Sequence, residues 1–140
     1  QIKTPKNYAE MWDKLLIKSG IDLLLFQDGI GAGKLSLETE TSYIQSLTAM
    51  ARKKKYDISV VVELFNLTKQ KDGTNRFSSA NPARVQQQLT LAEKAGAKQL
   101  AVFAATPYLL QDDMRGSDKL TAFWKNSLLK SCNARSTIKK

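Results

Sequence analysis

Apolar positions along the chain follow two alternating rhythms. From Pro5 to Ser19, Tyr8, Met11, Trp12, Leu15 and Leu16 recur at steps of three and four, the spacing of a helix with one apolar stripe, and Gly20 stops it. The run from Ile21 to Phe26 follows at once, apolar except for Asp22, and predicts a strand covered on both faces, as in a parallel sheet clad by helices. Ser36 is placed to cap a second helix, with Glu38 and Glu40 in its electropositive first turn. Its stripe runs through Tyr43, Ile44, Leu47 and Met50 and ends near Lys55. A second strand, Tyr56 to Phe65, carries the β-branched residues Ile58, Val60, Val61 and Val62.

Between Leu67 and Ser79 the chain reads as a polar loop, long for a βα connection. Asn81 and Pro82 open a third helix as cap and first-turn residue, and Val85, Leu89 and Ala92 carry it to Gly96. Gln99 to Ala105 is a third strand, closed by Thr106, Pro107 and Tyr108. A last helix from Asp118 to Lys130 has Leu120, Phe123, Trp124 and Leu128 on one face. The order α-β-α-β-α-β-α predicts an α/β fold with right-handed crossovers and a parallel sheet, one domain over residues 1–130 followed by a basic polar tail over 131–140. Three strands leave both sheet edges open, and native proteins cover such edges. The expectation is therefore a piece of a larger barrel, or copies that self-associate edge to edge.

Composition narrows the chemistry. No stretch approaches the roughly 18 apolar residues that a membrane span requires. Twenty-two Lys and Arg against 13 Asp and Glu give +9, which favours anionic partners. The charges are dispersed, however, and Arg52 to Lys55 sit where cations complement a helix terminus, so nucleic acid is the lesser reading. The absence of histidine removes Ser-His-Asp and Cys-His catalysis and imidazole metal sites, and a single cysteine, Cys132, excludes an internal disulfide. No cofactor and no metal are expected.

The candidate chemistry lies at the strand ends. Gln27 and Asp28 close the first strand ahead of Gly29, Gly31, Gly33 and Lys34, and Glu63 and Asn66 close the second. Carboxylates that end successive parallel strands face one rim, so Asp28 and Glu63 are a candidate catalytic pair for glycoside hydrolysis, in which one protonates the leaving oxygen and the other attacks or activates water. Glu63, inside Val61-Val62-Glu63-Leu64-Phe65, is costly to bury without a site role or an ion pair. Asp28 can instead accept backbone N–H bonds in the glycine turn. Gln27, Asn66, Tyr108 and Lys34 are candidate substrate-binding residues, with Tyr108 and Phe65 able to stack on a sugar. Asp28 and Leu35 stand where a Walker A loop needs Gly and Ser or Thr, and Lys34 where a dinucleotide fingerprint needs Gly. Gly31, Gly33 and Lys34 before the Ser36 cap can still hold a phosphate or sulfate.

The stretch Gln27-Asp28-Gly29-Ile30-Gly31-Ala32-Gly33-Lys34, preceded by Tyr8-Ala9-Glu10-Met11-Trp12 and followed by Val61 to Phe65, resembles bacterial domains of unknown function that form glycoside-hydrolase-like TIM barrels. The resemblance covers residues 5–110. It implies that these strands belong to the last three βα units of a barrel and that the partner is carbohydrate. It also implies that Glu63 holds the nucleophile position of the penultimate strand, with its acid on an earlier strand, and that the location is periplasmic or secreted. A non-catalytic carbohydrate-binding or scaffold module, and a polyanion- or phosphate-binding domain, stay open as alternatives.

Overall fold

In a computed structural model, which describes residues 4–103 and 118–136, helix α1 spans Pro5–Ser19. The Thr4 hydroxyl accepts from the Asn7 N–H at 3.2 Å, and Gly20 closes the helix at φ 69°. Strand β1 (Leu23–Gln27) leads to α2 (Leu37–Lys54), whose Ser36 cap accepts from the Thr39 N–H at 3.2 Å. Strand β2 (Asp57–Glu63) is followed by β3 (Phe65–Lys69), β4 (Asn75–Ser79), α3 (Pro82–Lys94), β5 (Gln99–Phe103) and α4 (Asp118–Ser136). The last helix thus continues past Lys130 into the stretch read as a tail.

Strands β1, β2 and β5 form a parallel sheet in that order, with Phe26 beside Val60, Val60 beside Leu100, and Glu63 beside Phe103. One face is helix-covered. Leu24, Phe26, Ile58, Val60 and Val62 are buried with Ile44 and Leu47 of α2 and Val85 and Ala92 of α3. Helices α2 and α3 contact β2, and α1 packs on α2.

Two expectations change. Strand β1 is not covered on both faces among the described residues, because Leu25 is 60% exposed and Phe103, on the same face two strands away, 48%. The unbroken apolar run reports that both faces are hydrophobic, but helices lie on only one. The expected polar loop is largely an antiparallel hairpin, β3–β4, with Leu67 opposite Phe77. Its turn is closed by Gln70 N–H to Thr74 C=O at 2.8 Å, by Asp72 Oδ1 accepting from the Thr74 N–H at 2.9 Å, and by Gly73 at φ 84°. The order is therefore α-β-α-β-β-β-α-β-α. Strand β2 stops at Glu63, and Leu64 joins the two sheets: its N–H donates to Phe103 at 3.2 Å and its C=O accepts from Ala80 at 2.9 Å. None of the described helices is long and apolar enough to cross a membrane.

Burial separates two isoleucines. Ile44 is fully buried, whereas Ile17 is 57% exposed. Ile44→Ala should lower unfolding free energy by about 3 kcal/mol in urea denaturation, and Ile17→Ala by less than about 0.5 kcal/mol. Equal losses would contradict the assigned core.

Candidate active site

Parallel register pairs Gln27, the last residue of β1, with Val61, two residues short of Glu63, the last residue of β2, and both Gln27 and Glu63 lie on the face away from the helices. Glu63 is 2% exposed, and both carboxylate oxygens are satisfied: Gln27 Nε2 donates to Oε1 at 2.7 Å and the Ala32 N–H to Oε2 at 2.7 Å. The second donor comes from the glycine loop, which turns back on itself through Lys34 N–H to Gly29 C=O at 2.8 Å and Gly33 N–H to Ile30 C=O at 3.0 Å. Gly29 and Gly33 hold left-handed backbone at φ 65° and 67°. At Gly31 the constraint is space: a Cβ would lie 2.2 Å from the Phe65 carbonyl oxygen and 2.9 Å from Glu63 Cβ, while the Gly31 C=O accepts from the Leu67 N–H at 2.7 Å.

Behind the loop, on the helix side, lies a buried polar cluster. Asp28 has no exposed surface; its Oδ1 accepts from the N–H of Ile30 at 3.2 Å and of Glu63 at 3.4 Å, and its Oδ2 accepts from Gln88 Nε2. Arg84 Nη2 donates to the carbonyls of Glu63 at 2.9 Å and Phe65 at 2.8 Å, and Nη1 donates to Gln88 Oε1 at 2.6 Å. Helix α3 thus holds the Glu63 main chain at both its N–H, through Gln88 and Asp28, and its C=O, through Arg84. Glu40 of α2 is fully buried, and among the described residues neither of its oxygens nor Arg84 Nε finds a hydrogen-bond partner. Burial pushes the Asp28 carboxyl up to about 6; the Glu63 charge adds to this, while the N–H bonds from Ile30 and Glu63 and the Arg84 charge oppose it. Glu40 is pushed up to about 8 by burial and by the Asp28 charge, against Arg84. Burial lowers Arg84 in turn, opposed by Asp28, Glu63 and Glu40.

At the carboxyl ends of β1 and β2, Gln27, Asp28 and Glu63 line a cleft of about 490 Å³ with Tyr8, Tyr43 and Lys34. Tyr8 and Tyr43 meet edge to face at 5.3 Å. Of the residues expected at a site, Gln27, Asp28, Lys34 and Glu63 are brought together. Asn66 is not: its Nδ2 donates to the Ser79 carbonyl at 3.1 Å, and it borders a separate depression with Asn81 and Lys119. Tyr108 lies outside the described residues. Tyr8, Tyr43, the Ala32 N–H, Glu40, Arg84 and Gln88 escaped the sequence reading. Among the described residues no group of three or more His, Cys, Asp or Glu is placed to hold a metal ion.

The described residues form an α/β domain with a three-stranded parallel sheet, at whose strand ends a carboxylate is held beside an aromatic cleft. Its backbone is similar to that of a putative alpha-L-fucosidase from Bacteroides thetaiotaomicron VPI-5482, with a TM-score of 0.67 at 15% sequence identity. The match covers 89% of this chain and 36% of that one, so the chain spans little more than a third of that protein's length. Residues 1–114 match the family described as a domain of unknown function, DUF4434, and the chain belongs to that family. No curated protein matches it.

The cluster predicts a pH dependence. Asp28 and Glu40 have folded-state values above their ordinary 3.8 and 4.5, so the folded chain binds more protons and loses stability as pH rises, over about 4 to 6 for Asp28 and about 4.5 to 8 for Glu40. Glu40→Gln should match the parent in urea denaturation at pH 5 and exceed it at pH 9, on the order of 2 kcal/mol. A parallel decline in both proteins would contradict the burial of an unpaired Glu40 carboxyl.

Proposed function

We propose that the chain forms part of a glycoside-hydrolase-like barrel, contributing its last three βα units, and that Glu63 is its catalytic carboxylate toward a carbohydrate substrate. The observation that carries this reading is the Glu63 carboxylate, held at a parallel strand's carboxyl end by Gln27 and the Ala32 N–H on the edge of an aromatic cleft. Barrel enzymes place reacting groups at that end of the strands. A retaining glycosidase needs a rigidly held carboxylate to attack the anomeric carbon, forming a glycosyl ester that water then cleaves. Each Glu63 oxygen accepts one hydrogen bond and keeps a lone pair for a further contact. Gln27 and Lys34 are positioned for sugar hydroxyls.

In this reading Asp28 serves Glu63 and not the sugar, because its oxygens accept from the Glu63 and Ile30 N–H groups and from Gln88. The acid that protonates the leaving oxygen then comes from outside these three units. The exposed apolar face of Leu25 and Phe103 supports this, since it is the face that further strands, or a second copy, would cover. The similarity to a protein of which the match covers only 36% also supports it. The same coverage favours one second reading, a carbohydrate-binding module without turnover, because part of a rim supplies part of a site.

Hydrolysis of aryl glycosides, an α-L-fucoside among them, separates the two readings when run beside glycan calorimetry. In the intact barrel protein, Glu63→Gln keeps shape and removes charge, and should abolish turnover by roughly 10³-fold or more while glycan binding and melting temperature hold. Wild-type rates in that variant would refute the catalytic assignment, and glycan binding without turnover in the intact protein would select the module.

A further inference from the structure

The β3–β4 hairpin contributes little to the core, since residues 71–78 are all exposed, and a two-stranded ribbon is marginal in isolation. Its base is nevertheless fixed by the groups that hold Glu63: Leu67 N–H donates to Gly31 at 2.7 Å, Arg84 Nη2 donates to Phe65 at 2.8 Å, and Ala80 N–H donates to Leu64 at 2.9 Å. A ribbon so anchored stands at the rim two residues after Glu63. Along it runs an aromatic ledge. Phe65, buried at the hairpin's base, meets Phe77 edge to face at 5.4 Å, and Phe77 is 43% exposed. Beyond the ledge cations outnumber acids. Exposed Lys69 shares the ribbon face of Phe77, exposed Lys71 stands in the turn, and exposed Arg76, opposite Thr68, lies on the reverse face; the acid Asp72 accepts from the Thr74 N–H at 2.9 Å and hydroxyl at 2.7 Å. Across the glycine loop, exposed Lys34 adds a cation at the cleft.

We propose that this hairpin is a binding arm for an anionic polysaccharide, its aromatic ledge taking the apolar faces of sugar rings and its cations taking carboxylate or sulfate groups on the same chain. The proposal rests on the carbohydrate reading above and adds the charge class of the ligand. Apolar ring faces suit aromatic surfaces, and an excess of cations on the same ribbon favours an anionic chain over a neutral one.

The test is calorimetry of the chain with polygalacturonate, dextran sulfate, neutral dextran and single-stranded DNA at about 20 mM and about 150 mM salt. The expected result is binding of one or both acidic polysaccharides, which distinguishes carboxylate from sulfate recognition, with affinity falling steeply with salt and no binding of dextran. Joint replacement of Lys69 and Lys71 by Gln should weaken binding about tenfold or more. Phe77→Ala leaves the charge unchanged and should weaken it by about fivefold or more, with melting temperature preserved in both variants. This inference is read by binding and the hydrolytic assignment by turnover, so failure of the hydrolytic assignment leaves this inference standing. Absence of binding to both acidic polysaccharides, DNA binding as tight as theirs, or unchanged affinity in Phe77→Ala would overturn it.

Discussion

A carboxylate withdrawn from water at the end of an apolar strand must be met by donors, and the Glu63 carboxylate sets the terms for everything around it. One donor, Gln27, is supplied by parallel register, since β1 ends beside β2. The other is a main-chain N–H, and bringing Ala32 to Glu63 requires the chain after β1 to fold back over the β2–β3 junction. Gly29 and Gly33 are glycines because the backbone there is left-handed, and Gly31 because a side chain would collide with Phe65 and Glu63. The glycine run that looks like a nucleotide loop is, in this fold, the device that satisfies a buried acid.

Behind that loop the arrangement is less comfortable. Glu63 has a donor on each oxygen, whereas Glu40 is buried with none among the described residues, and Asp28 shares its surroundings with two other acids and a single arginine. Arg84 is drawn mainly to main-chain carbonyls and forms no direct ion pair with Glu40. An apolar residue at position 40 would suit the Ile44 and Leu47 stripe better. Retention of an acid there places a stability cost next to the candidate site, where strain and unmet polarity concentrate in proteins that trade stability for activity.

Much of the fold was legible in the sequence because local signals agreed with one another. Pro5 opened α1 and Gly20 closed it; Ser36 and Asn81 capped the next two helices; the β-branched run of β2 was unambiguous. The hairpin was missed because its strands are mostly polar, so composition masked the alternation of Phe65, Leu67 and Phe77 around an Asp72-Gly73 turn, the one signal that identifies it. At the site, Gln27, Asp28 and Glu63 were legible as polar groups closing apolar strands. Glu40, Arg84 and Gln88 were not, because a charged residue in a helix reads as solvent-facing. Glu40 lies on the stripe of Ile44, Leu47 and Ala51, and Gln88 lies between Val85 and Ala92; that spacing, and not residue type, marks them as buried. Tyr8 and Tyr43 read as core because the same stripe that packs a helix also lines the cleft at its end.

The central claim is that the glycine loop is pinned to Glu63 through one main-chain bond, and hydrogen exchange at the Ala32 amide reads that bond directly. The predicted result is slow exchange at Ala32 in the parent chain, protected like the amides of β2, and fast exchange at that amide in Glu63→Ala while the β2 amides stay protected. Exchange at Ala32 as fast as at the exposed turn residue Gly73 in the parent chain would contradict it.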